Sequence, residues 1–155
     1  YDIPHRVGVP IPEASLIRLS EHPNIAAVKD AKGDVASSSV VIASTDLDYY
    51  AGDDAMMLPL LGVGGVGLVG TSSHFAGRSV RAIVDAFVAG DVEAAIAHNQ
   101  AALPVFRGVF ATQGCMMVKA ALNRRGWNVG PCRPPMGTVP GEMLEHFLGL
   151  LDAMS

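Results

Sequence analysis

Ile25-Ala26-Ala27-Val28-Lys29-Asp30-Ala31-Lys32-Gly33-Asp34 runs from four apolar residues through a lysine into a polar turn that contains a glycine. Such a pattern marks a buried strand of a parallel sheet, expected to end at Lys29. Side chains alternate along a strand, so Ile25, Ala27 and Lys29 share one face while Ala26 and Val28 share the other. Lys29 is therefore expected at the C-terminal tip of an apolar strand, with small neighbours that leave room beside it. In a parallel α/β protein that tip is where ligands and chemistry collect. A partly desolvated amine held there is suited to attack a carbonyl. The plainer alternative is a lysine that is simply the first solvated residue after a strand, its stem lying over apolar surface.

Outward from this stretch, strands and helices alternate. Tyr1-Asp2-Ile3 reads as the end of a strand that runs into the loop His5-Arg6-Val7-Gly8-Val9-Pro10. An amphipathic helix is predicted over 12–21, broken by His22-Pro23-Asn24, and a second helix over 35–43. Tyr49-Tyr50-Ala51 reads as a strand ended by Gly52-Asp53-Asp54, followed by a helix over 55–61 and the strand Gly67-Leu68-Val69-Gly70. These are successive right-handed βα units of a parallel sheet. From Gly77 onward the pattern is helical only: 79–89, 92–110 with Pro104 expected to kink or split it, 113–125, and 141–154 after the extended linker Arg133-Pro134-Pro135.

A (β/α)8 TIM barrel takes about 250 residues. This chain has 155, which hold a strand end, three strands and a helical tail. The expected architecture is α/β: the second half of a (β/α)8 barrel followed by a C-terminal helical extension. Residues 1–78 would carry the barrel half, and 79–155 the last barrel helix and the helical region. An open doubly wound sheet competes, but it leaves the helical tail unexplained. A domain rarely starts on the last residues of a strand, so the numbering is expected to begin inside a larger protein.

Composition narrows the function. Half of the residues are apolar and 17% are charged, which excludes a disordered segment. The net charge is −4 and the densest basic group is Arg124-Arg125, so nucleic acid is not an expected partner. No apolar run reaches the roughly 18 residues of a membrane span, and Tyr1-Asp2-Ile3-Pro4 has no signal-peptide pattern. Cys115 and Cys132 match no metal or redox motif, and a cytoplasmic setting is the default.

Several motifs compete for a chemical role. Gly62-Val63-Gly64-Gly65-Val66-Gly67 matches G-x-G-x-x-G, but a helix precedes it and a strand follows, the reverse of a dinucleotide site. These glycines are expected to serve a tight turn. Gly70-Thr71-Ser72-Ser73-His74 stands where many barrels bind phosphate, or it merely caps the next helix. Gly52-Asp53-Asp54 offers paired carboxylates without further ligands nearby, so N-capping by one aspartate is expected rather than a metal site. Tyr1 and Arg6 bracket the first strand tip. A phenol can relay a proton, and a guanidinium can grip a carboxylate with a bidentate fork. With Lys29 they give an amine nucleophile, a proton relay and a carboxylate binder on adjacent tips.

Tyr1-Asp2-Ile3-Pro4-His5-Arg6-Val7-Gly8, Val28-Lys29-Asp30-Ala31-Lys32-Gly33-Asp34, Gly52-Asp53-Asp54 and Gly64-Gly65-Val66-Gly67, in that order and spacing, resemble the dihydrodipicolinate synthase family. The resemblance is specific from Tyr1 to about Gly70 and general along the helical tail. It implies a lyase of lysine and diaminopimelate biosynthesis, with no cofactor beyond a covalent Schiff base between Lys29 and pyruvate. The enamine would then attack aspartate 4-semialdehyde, and cyclisation would give 4-hydroxy-tetrahydrodipicolinate. Tyr1 would relay protons with a threonine of the missing N-terminal half-barrel and a tyrosine of a neighbouring subunit. Arg6 would hold the semialdehyde carboxylate, and backbone at Gly52 and Val69 would line the pyruvate pocket. A homotetramer or dimer is implied, and the 155 residues alone would be inactive.

Arg6 and the Gly52-Asp53-Asp54 turn also separate this pattern from the related sialic-acid lyases, which keep the tyrosine and lysine. One departure is His5, where the family usually has a small residue. The alternatives are another pyruvate-dependent aldolase, N-acetylneuraminate lyase-like, or a non-catalytic half-barrel.

Overall fold

The stretch before the lysine does pair as a parallel strand, β1 (Ala27–Asp30), two residues later than its apolar start suggests. Ile25 is held back by the preceding turn, where its N–H donates to His22 O at 3.0 Å. The strand then runs one residue past Lys29, because Asp30 pairs with Ala51. β2 (Asp48–Ala51) and β3 (Gly67–Leu68) complete a parallel sheet in the order β1-β2-β3. Asp2 joins the free side of β1 through a single parallel bridge to Asp30. The computed structural model describes residues 1–154, so Ser155, the last residue of the expected second segment, lies outside the described residues. The described chain divides into a unit Tyr1–Gly70 and a second unit that begins at Thr71.

In the first unit the sheet has two unlike faces. Val28, Asp30, Tyr49 and Ala51 are buried, whereas Ala27 and Asp48 are exposed and Lys29 and Tyr50 are half-buried. Helices account for the difference. α2 (Glu13–Ser20) packs on α3 (Val35–Ser44), and α4 (Met57–Leu61) packs on α3, β2 and β3. Leu16, Val41, Met57, Leu60 and Leu61 form the apolar layer there, each at most 4% exposed. The Asp34 carboxylate caps α3 by accepting from Ser37 N at 2.9 Å.

Two local elements differ from expectation. Residues 5–10 are not all loop, because Pro4–Val7 is a one-turn helix, α1. Pro4 presets its first turn, and Gly8, at φ 90°, closes it. The helix expected over 55–61 opens as a 3-10 turn, Asp54–Met56, before α4.

The second unit is helical: α5 (Ser73–Val88), α6 (Val92–Gly108), α7 (Gly114–Arg124) and α8 (Gly141–Met154). α5 starts six residues before its apolar period does, with a kink at Ala76 (φ −104°, ψ 20°) between the two pieces. α6 carries Pro104 inside it and runs on, unbroken, to Gly108. α5 packs on α6, and α8 packs on both α6 and α7. Gly108 permits the α6–α8 approach: a Cβ there would lie 2.8 Å from Leu150 Cδ1 and 3.0 Å from Phe147 Cδ2. Among the described residues no helix is long and apolar enough to cross a membrane.

Two predictions follow from the packing of the first unit. A Cβ on Gly65 would fall 2.8 Å from both Leu60 Cγ and the Leu60 carbonyl oxygen, and backbone cannot yield cheaply. Gly65→Ala is expected to lower stability by about 1–3 kcal/mol, read as a lower urea midpoint. Tyr49 is 1% exposed, and its buried hydroxyl makes no well-formed hydrogen bond among the described residues. Burial pushes its ionisation well above the ordinary tyrosine range, helped by the carboxylates of Asp30, Asp2 and Glu13. The unfolded chain releases this proton near pH ~10 while the folded chain keeps it, so stability falls as pH rises above that point. Tyr49→Phe is expected to remove that part of the alkaline loss and to cost no more than about 1 kcal/mol at neutral pH, as measured by urea unfolding at a series of pH values.

Candidate active site

Backbone hydrogen bonds align the strand ends. Asp2 N donates to Lys29 O at 2.9 Å, Gly52 N to Asp30 O at 2.6 Å and Val69 N to Ala51 O at 2.9 Å. Tyr1, Lys29, Gly52 and Val69 thus stand on or beside consecutive tips of one parallel array, all within the first unit. The ends of such strands leave backbone groups and side chains free to meet a ligand.

Two of the expected residues are in contact. Lys29 is half-buried, and its Nζ lies over the Tyr1 ring, 4.1 Å from the centroid. The ring's negative face attracts the ammonium, a contact that contributes roughly 0.5–1 kcal/mol where water has access. Tyr1 is 56% exposed. On the other side of Lys29, its register partner Tyr50 lies against Gly67, where a Cβ would sit 3.6 Å from the ring's Cδ1. Gly67 is therefore not a steric necessity; Gly64 (φ 103°) and the crowded Gly65 carry the turn into β3.

Arg6 stands on α1, exposed and without an ion pair among the described residues. At Gly52 a Cβ would meet the Asp30 carbonyl and Ala31 Cβ at 3.1 Å, so the backbone approaches closely, as expected. Asp53 is the capping residue of the following turn, accepting from Ala55 N at 2.9 Å. Asp54 is fully buried, and an added Cβ on Gly70 would lie 2.5 Å from its Oδ1. Ser72 occupies the position before α5 and is buried, but its side chain makes no capping hydrogen bond.

A polar layer behind the sheet escapes the sequence reading. Asp2 and Asp30 are 1% and 6% exposed. Asp2 Oδ1 accepts from Ile11 N at 3.1 Å, and Asp30 Oδ1 accepts from Lys32 N at 2.8 Å. Ser38 Oγ donates to Asp30 Oδ2 in a short contact. Lys32 Nζ lies 3.7 Å from Asp2 Oδ2 and donates to Ser37 Oγ at 2.9 Å. Alternation was the available signal: each residue directly after Tyr1 and Lys29 must face the opposite side, and each is an aspartate.

Known proteins match this chain along its whole described length. The model of the Dihydrodipicolinate synthetase family matches residues 1–154. A 4-hydroxy-tetrahydrodipicolinate synthase of Cutibacterium acnes is 53% identical over 152 residues, covering 98% of this chain and 52% of that protein. A second, from Streptomyces coelicolor, is 52% identical over 143 residues, covering 92% of this chain and 48% of the other. Among solved structures, a DHDPS from Cyanidioschyzon merolae superposes with a TM-score of 0.96 at 34% identity, over 99% of this chain and 53% of that one. The chain spans about half the length of the curated relatives it matches. Because the family model spans residues 1–154 and relatives about half identical cover nearly the whole chain, the chain belongs to the dihydrodipicolinate synthetase family.

Proposed function

We propose that this chain is the second half of a (β/α)8 barrel with its helical extension, and that the whole protein condenses pyruvate with aspartate 4-semialdehyde. The observation that carries this reading is the contact between the Lys29 ammonium and the Tyr1 ring on adjacent strand tips. Residues 1–78 would supply the barrel strands and 79–155 the last barrel helix and the helical region. The half-exposed sheet face that holds Lys29 and Tyr50 suits an interior closed by a partner half, since parallel sheets are normally covered on both faces.

The chemistry follows from the groups present. The neutral amine of Lys29 attacks the pyruvate carbonyl carbon; loss of water from the carbinolamine leaves an imine. The imine draws electrons from the adjacent methyl group, which loses a proton to give an enamine. The enamine carbon forms a bond to the aldehyde carbon of aspartate 4-semialdehyde, whose oxygen takes up a proton. The semialdehyde amine then attacks the imine carbon, closes the ring and releases Lys29. Tyr1, whose ring lies against the amine, would carry the protons of these steps. Arg6 would hold the semialdehyde carboxylate with paired hydrogen bonds. Backbone at Gly52 and Val69 would line the pyruvate pocket. The remaining relay groups would come from the other half-barrel and a neighbouring subunit of a homo-oligomer.

Borohydride reduction with pyruvate, followed by peptide mapping of the full-length protein, is expected to place a pyruvyl adduct on Lys29. Its absence in folded full-length protein would overturn the Schiff-base reading. Lys29→Ala is expected to abolish the adduct and turnover together. Arg6→Ala is expected to keep the adduct while raising KM for the semialdehyde by roughly ten-fold or more, the scale of a lost charge-assisted contact. An unchanged semialdehyde KM would remove Arg6 from that role.

A further inference from the structure

We propose that Lys32 is a positioning residue that sets the spacing between Tyr1 and Lys29 from behind the sheet. The proposal rests on the aldolase reading of that pair and deepens it. Tyr1 and Lys29 are each followed by a buried aspartate, and those two aspartates, Asp2 and Asp30, are bridge partners on neighbouring strands. Two carboxylates side by side on the covered face of a sheet repel each other, and burial strengthens the repulsion. One residue, Lys32, reaches both. Lys32 brings its ammonium to 3.7 Å from Asp2 Oδ2 and its backbone N–H to 2.8 Å from Asp30 Oδ1. Its side chain is only 10% exposed and is steadied by the hydrogen bond to Ser37. Among the described residues no other cation forms an ion pair with either carboxylate.

The link to the front face is short: each aspartate is bonded directly to Tyr1 or Lys29, and backbone hydrogen bonds join the two strands. Asp2 N donates to Lys29 O, and Ala31 N donates to Asp2 O at 2.8 Å, so the backbone that carries the two carboxylates also carries Tyr1 and Lys29. Repulsion between unbalanced carboxylates would spread this pair of strand ends. The phenol would then move off the amine it now covers at 4.1 Å. Proton transfer requires contact distance, so the relay would suffer while the amine itself stays in place.

The test uses the full-length protein with Lys32→Met, and with Asp2→Asn combined with Lys32→Met. The isosteric amide keeps an oxygen for Ile11 N but removes the charge that Lys32 balances. Lys32→Met is expected to lower kcat by about ten-fold or more, with pyruvate KM within about two-fold, because a small misplacement strikes the chemical step. The double variant is expected to return kcat to within about three-fold of wild type. A single variant with wild-type kcat, or a folded double variant no faster than the single, overturns the proposal. Should Lys32→Met fail to fold, the double variant decides alone: near-wild-type turnover supports the proposal, and loss overturns it. Borohydride trapping on the wild-type protein separates the two readings. An adduct on Lys29 with kcat insensitive to Lys32 sinks only the positioning role, whereas no adduct sinks the aldolase reading and this inference with it.

Discussion

The hydrogen bond from Asp2 N to Lys29 O, 2.9 Å long, is the constraint on which the candidate site depends. Tyr1 lies outside the three-stranded sheet proper, and the single bridge at Asp2 ties its backbone to β1. One backbone bond on each side of that residue fixes where the phenol stands relative to the amine. Further along the array, the bonds at Gly52 and Val69 repeat the device at the next two tips. A parallel ladder sets register without help from the side chains at its end, which frees those side chains for chemistry.

The two faces of this small sheet divide the work by alternation. Val28, Tyr49 and Ala51 go to the helix side with Asp2 and Asp30, while Lys29 and Tyr50 go to the other. Burying two carboxylates under the tips is costly unless each oxygen finds a donor or a cation. Ile11 N, Lys32 N and Ser38 Oγ answer as donors and Lys32 Nζ as the cation, drawn from α3, the turn before it and the segment after α1. The layer therefore joins Ile11, Lys32 and Ser38 to the residues that directly follow Tyr1 and Lys29.

Much of this was legible in the chain. The βα alternation, α2, α3 and the helices of the second unit follow from apolar period and from Pro, Gly and Asp punctuation, because those signals are local. The site residues were read from motif order and the strand-tip argument, and the structure brings Tyr1 and Lys29 together and sets Arg6 on the one-turn helix α1. What eluded sequence reading has physical causes. The one-turn helix at Pro4–Val7 buries none of its residues and so leaves no period to detect. α5 begins at Ser73 in a segment whose polar residues resemble a loop, and its apolar stripe starts only after the kink at Ala76. Lys32 reads as a solvated turn residue, and only three-dimensional proximity to Asp2 and Ser37 shows otherwise.

The contrast between Lys29 and Lys32 carries the last step. Both sit at the same strand end, three residues apart, and both side chains lie against the protein rather than free in water. Their neighbours assign opposite tasks. Lys29 meets an aromatic face and has no carboxylate among the ion pairs of the described residues. The ring face attracts the ammonium, and no buried anion depends on it for compensation among those ion pairs. Lys32 faces Asp2, which is 1% exposed, and neutralising that ammonium would strand a buried carboxylate. Its charge is accordingly committed to structure. The strand end thus sets one lysine against a buried carboxylate behind the sheet and the other against an aromatic ring in front of it.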